Sequence, residues 1–504
     1  MSGFISSPSN VLAATAQPCA RLSPPLIRPA GPLLPKWAKA SKQSSRKGRR
    51  VLVGAILGVA AFCSVASAKE TLVKDVAEFD AAVKAAQPGD KIILADGEWR
   101  DADLVFRGHG TGDHPIVLRA QTPGKVVLLG TSRLRFGGEY LTARDLLWRD
   151  TAAKDDAVCF RFDSKTLASH CLFLQSAIIG DEPNKERKFV SLYGEQNAVV
   201  SCRFEGKRSK GTLLVVWLGE DAPPSGHVIA KNFFGPRKRL GKNGGEIIRV
   251  GDSNTSLQDA SADVMNNYFF GCSGEAEIIS NKSCENRYRY NTFVGCGGAL
   301  TLRHGNRCRV TNNLFLGDGV KGTGGVRVIG EGHQIGGNIF HELLGDDTRA
   351  ALCIMNGVVD SPANGYLQVH GVEVIRNEFI DCKESFVIGN ADEDQRQQTL
   401  PPTDCRLTSN TVTSEGRPVF KIHTPPVRLE CSDNAYSGGD LGLDPADGWE
   451  QTRRETDDVV ARLRKPDPKN FQLLDGVGPE WMRPGDEFLP KVLQAAQKTE
   501  ATPK

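Results

Sequence analysis

Glu275 and Glu277 stand one residue apart, Lys282 follows shortly after, and Arg303 and His304 lie side by side about one repeat further along the chain. Asn243 precedes this group and Arg327 follows it. Two carboxylates close together on a β-surface repel unless a cation sits between them. With the Asn243 amide as a third oxygen donor, the set suits Ca²⁺ better than zinc. The bland alternative is an exposed Glu pair matched by Lys282 and Arg303 in surface ion pairs, and residue types alone weigh the two equally.

Uronic-acid chemistry accounts for the cations economically. Splitting a 4-linked uronate polymer by β-elimination requires removal of the C5 proton, beside a carboxylate that resists further negative charge. A cation on that carboxylate stabilises the developing anion. Lys282 could take the proton as general base if its amine is desolvated among other cations. Arg303 could meet the leaving oxygen or supply its proton, although so strong a base is an uneasy acid. His304 and Arg327 would hold or neutralise substrate carboxylates, with a merely structural role for His304 as the alternative.

Such a constellation needs a scaffold that brings distant segments together, and a repeat supplies one. Asn232-Phe-Phe234, Asn267-Tyr-Phe269, Asn291-Thr-Phe293, Asn313-Leu-Phe315, Asn338-Ile-Phe340 and Asn377-Glu-Phe379 share an Asn-x-Phe pattern. Asn410-Thr-Val412 and Asn434-Ala-Tyr436 extend it, and Cys171-Leu-Phe173 and Cys202-Arg-Phe204 are expected to begin it with Cys in the Asn place. The closest spacings are 22 to 25 residues and the longer ones 30 to 39, which fits an all-β parallel β-helix with loop insertions. Stacked coils place one Asn above the next at a tight turn, and the Phe two positions on faces the core. Asn243, Glu275, Glu277, Lys282, Arg303 and Arg327 fall 8 to 15 positions beyond the Asn of their own coils. They therefore share one side of the solenoid, where four coils about 4.8 Å apart make a groove about 15 Å long. On a strand, Glu275 and Glu277 would share a face, with Ala276 and Ile278 on the other.

Helical spacing over 75–86 puts Val76, Phe79, Ala82 and Val83 on one face, as a cap for the open end of the solenoid would require. The first strands are expected at Lys91–Leu94, Ile116–Leu118 and Val126–Leu129. Past about Tyr436 the pattern fades, so the organisation expected is a leader over 1–68, the β-helix over 69–440 and a C-terminal cap or extension over 441–504.

Residues 39–50 are basic, 51–65 apolar, and Ala66-Ser67-Ala68 small, the layout of a signal peptide cleaved after Ala68. The apolar run is short of the roughly 20 residues of a spanning helix. Export to the periplasm or the extracellular space is expected, with no stable membrane association. Removing the nine Lys/Arg of the leader turns the formal charge of +3 into −6, which argues against a nucleic-acid partner and leaves any polyanion to a local cluster. Of 13 cysteines, eleven lie beyond the leader, an odd number unsuited to a full disulfide framework. Cys272, Cys284, Cys296 and Cys308 recur every twelve residues, a spacing better suited to packed thiols than to zinc.

Asn243-Gly-Gly-Glu246, Gly274-Glu-Ala-Glu277, Asn281-Lys-Ser283, Leu302-Arg-His-Gly-Asn306 and Gly322-Thr-Gly-Gly-Val-Arg327 together resemble polysaccharide lyase family 6, the alginate lyases and chondroitinase B. Ala86-Gln-Pro-Gly-Asp-Lys-Ile-Ile-Leu94 and Gly110-Thr-Gly-Asp-His-Pro-Ile-Val117 resemble its first coils, so the likeness runs from about residue 70 to 440. The resemblance implies a right-handed parallel β-helix, Ca²⁺ held by Asn243, Glu275 and Glu277, Lys282 as base and Arg303 as acid, acting on an anionic polysaccharide; a monomer is a separate expectation. Alginate comes first as substrate because it is the commoner one in the family and no further basic cluster suited to sulfate stands out. Dermatan sulfate is the alternative within the family. A noncatalytic polysaccharide-binding β-helix has no use for a base beside a metal, and a β-helix glycoside hydrolase would need acidic residues in both roles.

Overall fold

The computed structural model describes residues 68–183, 185–391, 397–453, 474, 476–491 and 493–494, so the leader expected over 1–68 lies almost wholly outside the described residues. The chain winds as a right-handed parallel β-helix. Among the described residues its strands form three sheets of 14, 13 and 14 strands, each strand pairing with its counterpart one coil away.

One corner recurs with little variation. Lys231, Asn266, Tyr290, Asn312, Gly337, Arg376, Ser409 and Asp433 all have φ between 50° and 64°, a single left-handed residue that turns the chain from one sheet to the next. The residue after each is a ladder asparagine, and Asn232, Asn267, Asn291, Asn313, Asn338, Asn377, Asn410 and Asn434 are all buried. Asn291 is typical: its Nδ2 donates to Val264 O (2.9 Å) and to Asn313 Oδ1 (3.0 Å), and its Oδ1 accepts from Asn267 Nδ2 (3.0 Å). Left-handed backbone is costly for side chains such as Tyr290. The buried amide column offsets that cost by satisfying the turn's polar groups.

Inside the corner the aromatic rings stack. Centroids are 5.5 Å apart for Phe204 and Phe234, then 4.8, 4.5, 4.6, 5.0 and 4.8 Å through Phe269, Phe293, Phe315, Phe340 and Phe379. Cys202 does begin this column, since its N–H donates to Asn232 Oδ1 (2.9 Å). Cys171-Leu-Phe173 does not. Strand Leu172–Leu174 pairs with Ala198–Val200 in a different sheet, and Ser176 stands beneath Cys202. The 30-residue coils at this end let an Asn-like spacing fall on the wrong corner. Cys171 belongs to a second, mixed column in which its N–H donates to Asn197 Oδ1 (2.8 Å) and the Asn197 N–H to His227 Nδ1 (3.1 Å).

The twelve-residue cysteine spacing is half a coil. Cys272 and Cys296 donate to Phe234 O and Phe269 O at one corner, whereas Cys284 and Cys308 lie at another. All eleven cysteines of the described residues are free thiols, and ten are buried.

Helix Val76–Ala85 covers the first coils, N-capped by Asp75, whose side chain accepts from Glu78 N (2.8 Å). Phe79 is buried, with Val76, Ala82 and Val83 against the same core. At the other end strand Trp449–Gln451 pairs with Asn434–Ser437, past residue 440, and the Trp449 ring lies 5.3 Å from Phe420 and 6.1 Å from Phe386. The segment around Val477, Phe488 and Leu493 packs on the outer face of one sheet against Phe233 and Tyr268, and Tyr268 Oη donates to Phe488 O (2.7 Å). No helix of the described residues is long and apolar enough to cross a membrane.

Candidate active site

The 13-stranded sheet carries strands Ile248–Gly251, Glu277–Lys282, Ala299–His304 and Val326–Val328 on consecutive coils. Their register aligns Arg249, Ser280, Thr301 and Arg327 in one row. Ile248, Ile279, Leu300 and Val326 form the neighbouring row and are buried in the core, so alternation turns the first row toward the groove. A cleft of about 530 Å³ lies over this sheet edge. Asn243, Glu275, Glu277, Lys282, Arg303 and Arg327 all line it.

Two irregularities aim the charged side chains. The register shifts between Glu277 and Ile279, and Ile278 and Ile279 are both buried. Glu275 precedes the strand in a bend, and Ala276 is exposed instead of facing the core. The simple alternation expected for Glu275 to Ile278 therefore fails, because a bulge inserts one residue. A second shift opposes Lys282 to His304 and leaves Arg303 as the extra residue.

Carboxylates crowd one end of the cleft. Glu275 Oε2 accepts from Gly244 N (2.8 Å) and Gly245 N (2.9 Å). Burial, with Glu246 and then Glu277 nearby, pushes the Glu275 carboxyl up to about 7 against the pull of those N–H groups. Glu246 accepts from Thr212 Oγ1 (2.9 Å). The glycines of Asn243-Gly-Gly-Glu246 have a steric reason. Gly244 has φ +95°, and a Cβ on Gly245 would run into the Gly274 backbone. Behind the loop, buried Arg237 donates to the carbonyls of Glu246 (2.7 Å), Gly211 (2.9 Å), Ser209 (3.0 Å) and Gly244 (3.0 Å).

Among the described residues no group of three or more His, Cys, Asp or Glu is arranged to hold a metal. The Ca²⁺ set expected from sequence draws on two carboxylates and an amide, a different composition. It fits a hard divalent cation on one physical ground: like charges confined in a partly buried pocket raise one another's proton affinity, and a cation would relieve that repulsion.

At the other end lie the cations. Arg303 Nη1 donates to Gly365 O (2.8 Å), and its guanidinium sits 4.0 Å from the Tyr366 ring centroid, so the segment after Met355 fixes its direction. His304 is not in the cleft lining. It is 3% exposed, with Nδ1 3.1 Å from Ser256 Oγ. Burial, then Arg303 and Lys282, pull its pKa down to about 3, so the ring is neutral at neutral pH and supports the strand behind Arg303 and Lys282.

Sequence reasoning missed Arg249, whose guanidinium lies 4.8 Å from the Trp217 ring centroid and which lines the cleft. Its offset of 17 positions from Asn232, just past the 8 to 15 of the other lining residues, is a signal that a slightly wider window would have caught. Arg237 and Tyr366 gave no such signal, because their roles depend on which carbonyls and cations other coils deliver. The expectation that no further basic cluster accompanies the site does not hold: Arg239, Lys321, Arg349 and Lys383 line a neighbouring cleft. They are scattered in sequence and meet only where four loops converge.

Residues 73–416 match the family profile described as chondroitinase B. No curated protein sequence matches the chain. Among solved structures, a mutant of the PL6 family alginate lyase AlyGC is similar with a TM-score of 0.77 and 34% identity, over 83% of this chain and 59% of that one. This chain thus spans less than two thirds of the length of AlyGC. A mannuronic acid specific polysaccharide family 6 lyase from human gut microbiota gives a TM-score of 0.73 and 29% identity, over 86% of this chain and 100% of the other. The PL6 family polysaccharide lyase Pedsa3628 from Pseudopedobacter saltans shares the fold at 24% identity and a TM-score of 0.67, over 82% of this chain and 99% of that one. With its coils, cleft and family profile in agreement, this chain belongs to the chondroitinase B family, polysaccharide lyase family 6.

Proposed function

We propose that the protein cleaves a 4-linked uronate polymer, alginate before other candidates, by β-elimination. One observation carries this reading: Lys282 and Arg303, on adjacent coils, line the same cleft as the crowded carboxylates Glu275 and Glu277. A binding groove for a polyanion has no need of crowded, half-buried carboxylates, whereas a lyase needs a base and a charge sink together.

Lys282 takes the C5 proton. The electron pair left on C5 forms the C4=C5 double bond as the C4–O4 bond breaks, which leaves an unsaturated 4-deoxy uronate end. Arg303, held by Gly365 O and Tyr366, stabilises negative charge on the departing O4, and its proton or one from water completes the alcohol. Arg327 and Arg249 attract the carboxylates of neighbouring sugars. Asn243, Glu275 and Glu277 would hold Ca²⁺, which when bound neutralises the carboxylate next to C5. His304 acts through position, as a neutral buried ring beneath the two catalytic cations.

Dermatan sulfate is a second reading, favoured by the cationic cleft around Arg349. The protein is proposed to act as an exported monomer in the periplasm or outside the cell. Incubation with alginate and separately with dermatan sulfate, followed by the absorbance of the unsaturated product, tests the reaction and the substrate together. Product from alginate, abolished by thorough chelation and restored by Ca²⁺, is the expected result. Absence of product from both polymers would sink the lyase reading, and activity indifferent to chelation would remove the metal.

A further inference from the structure

Beyond Arg327 the groove edge carries a second concentration of charge. Arg239, Lys321, Arg349 and Lys383 line a cleft of about 510 Å³ whose acidic side chain is Asp346. Arg239 comes from the loop that holds Asn243. Lys321, Arg349 and Lys383 precede strands Val326–Val328, Leu352–Met355 and Phe386–Asn390, which are consecutive members of the active-site sheet. The cluster therefore lies on the same edge as Asn243 and Glu275, and it reaches one to two coils, about 5 to 10 Å, past Arg327.

The cations are not used up by the fold. Lys383 Nζ bonds Asp346 (2.6 Å), and Arg349 also acts on that carboxylate at longer range. Four cationic side chains against one carboxylate leave the cleft strongly positive. Arg349 lies over Gly322, where a Cβ would come 3.8 Å from Nη1, and its Nε is buried with no hydrogen-bond partner. Gly322, at φ +75°, gives that guanidinium its seat. Arg239 and Lys321 are exposed and flank it. Cations gathered at this density repel one another unless an anion enters.

We propose that Arg239, Lys321, Arg349 and Lys383 form a second anion subsite of the groove, which grips an anionic group on a sugar of the same polymer, beyond the residue cleaved at Lys282. The inference rests on the uronate-polymer reading above. Its ligand chemistry is an oxyanion on a pyranose chain, and a guanidinium suits both a uronate carboxylate and a sulfate ester. Chains long enough to reach from Lys282 to Arg349 gain affinity that shorter ones do not.

The test compares binding of a trimer and a hexamer in a Lys282→Ala background with Ca²⁺ present, so that ligands survive the measurement. One arm uses unsulfated oligomannuronate and the other dermatan sulfate oligosaccharides, read by calorimetry. Adding Arg239→Ala/Lys321→Ala, both at exposed positions, should weaken hexamer binding about tenfold, lower the hexamer-to-trimer ratio and flatten its salt dependence. Arg349→Gln should shift it in the same direction, and melting curves confirm that each variant is folded. A loss in the oligomannuronate arm identifies a carboxylate ligand, and one confined to the dermatan arm identifies sulfate. Hexamer affinity within twofold of the parent in both arms, or no binding by the parent in either, overturns the proposal. Product formation by the Lys282 enzyme is scored separately: product without a binding loss refutes the subsite alone, and a binding loss without product refutes the lyase reading alone.

Discussion

The asparagine corner and the catalytic edge are built from the same coils, yet they obey opposite rules. At the corner, coil after coil repeats one left-handed residue and one buried Asn, with a stacked Phe on each coil from Phe234 to Phe379. At the edge, no two coils match. Asn243 sits on a glycine loop, Glu275 on a bend before a bulge, Lys282 at a strand end and Arg303 at a second bulge. Repetition is what stacking rewards, since each added coil satisfies the one beneath it. A reaction needs different groups at different places, so chemistry is confined to the edge where the repeat can be broken without opening the core.

That contrast predicts a division between activity and stability. Lys282→Ala should reduce product formation about 10³-fold or more while the melting curve stays in place. Retained activity would remove Lys282 as the base, and a collapse of the fold would place the edge among the structural parts of the molecule.

The converse change lies at the corner. Asn291→Ala deletes two donations, to Val264 O and Asn313 Oδ1, and leaves Asn267 Nδ2 and its N–H without their acceptor. Unpaired buried groups of this kind should cost about 3 kcal/mol, visible as a lower urea midpoint. Per folded molecule the activity should change little, because the nearest catalytic groups are on another sheet. A loss of less than about 1 kcal/mol would mean that the ring stack, not the amides, holds the corner.

Legibility followed the same division. The Asn-x-Phe spacing was visible because one residue type recurs in one role, and the six lining residues could be placed by counting from it. The second column was hidden because Cys171, Asn197 and His227 do one job with three side chains. The turns were hidden too, since Lys231, Tyr290 and Arg376 are not turn formers, and only the amide column makes their left-handed backbone tolerable. Arg237, Tyr366 and the cations around Arg349 depend on loops of unequal length, where counting loses register.

A third test reads the edge through protons. The carboxyl of Glu275 titrates near 7 in the folded chain, above its ordinary 4.5, mainly because it is buried and then because Glu246 is near. A raised folded value means that protonation favours the fold: this group's contribution is complete below about 4.5 and is lost as pH rises through about 7. Chelated wild type should therefore lose more melting temperature between pH 5 and pH 8 than chelated Glu275→Gln. Parallel slopes in the two proteins would contradict the crowding of charge on which the proposed metal site depends.

The smallest expected effect asks how far the corner's rule extends. Cys202 holds the ladder position one coil before Asn232, and its Sγ donates to Phe173 O (3.7 Å) as Asn232 Nδ2 donates to Val199 O (2.9 Å). Burial pushes the Cys202 thiol up to about 12, so it remains a protonated, weak donor. In Cys202→Asn an amide could replace that thiol, with Nδ2 toward Phe173 O and Oδ1 toward the Ser176 N–H. Better hydrogen bonds would offset the burial of a larger polar group, and stability should stay within about 1 kcal/mol of wild type. A loss as large as that of Asn291→Ala would show that each coil is fitted to its own corner residue. The column would then be a series of local solutions, and the contrast between a repetitive corner and an irregular edge would be one of degree.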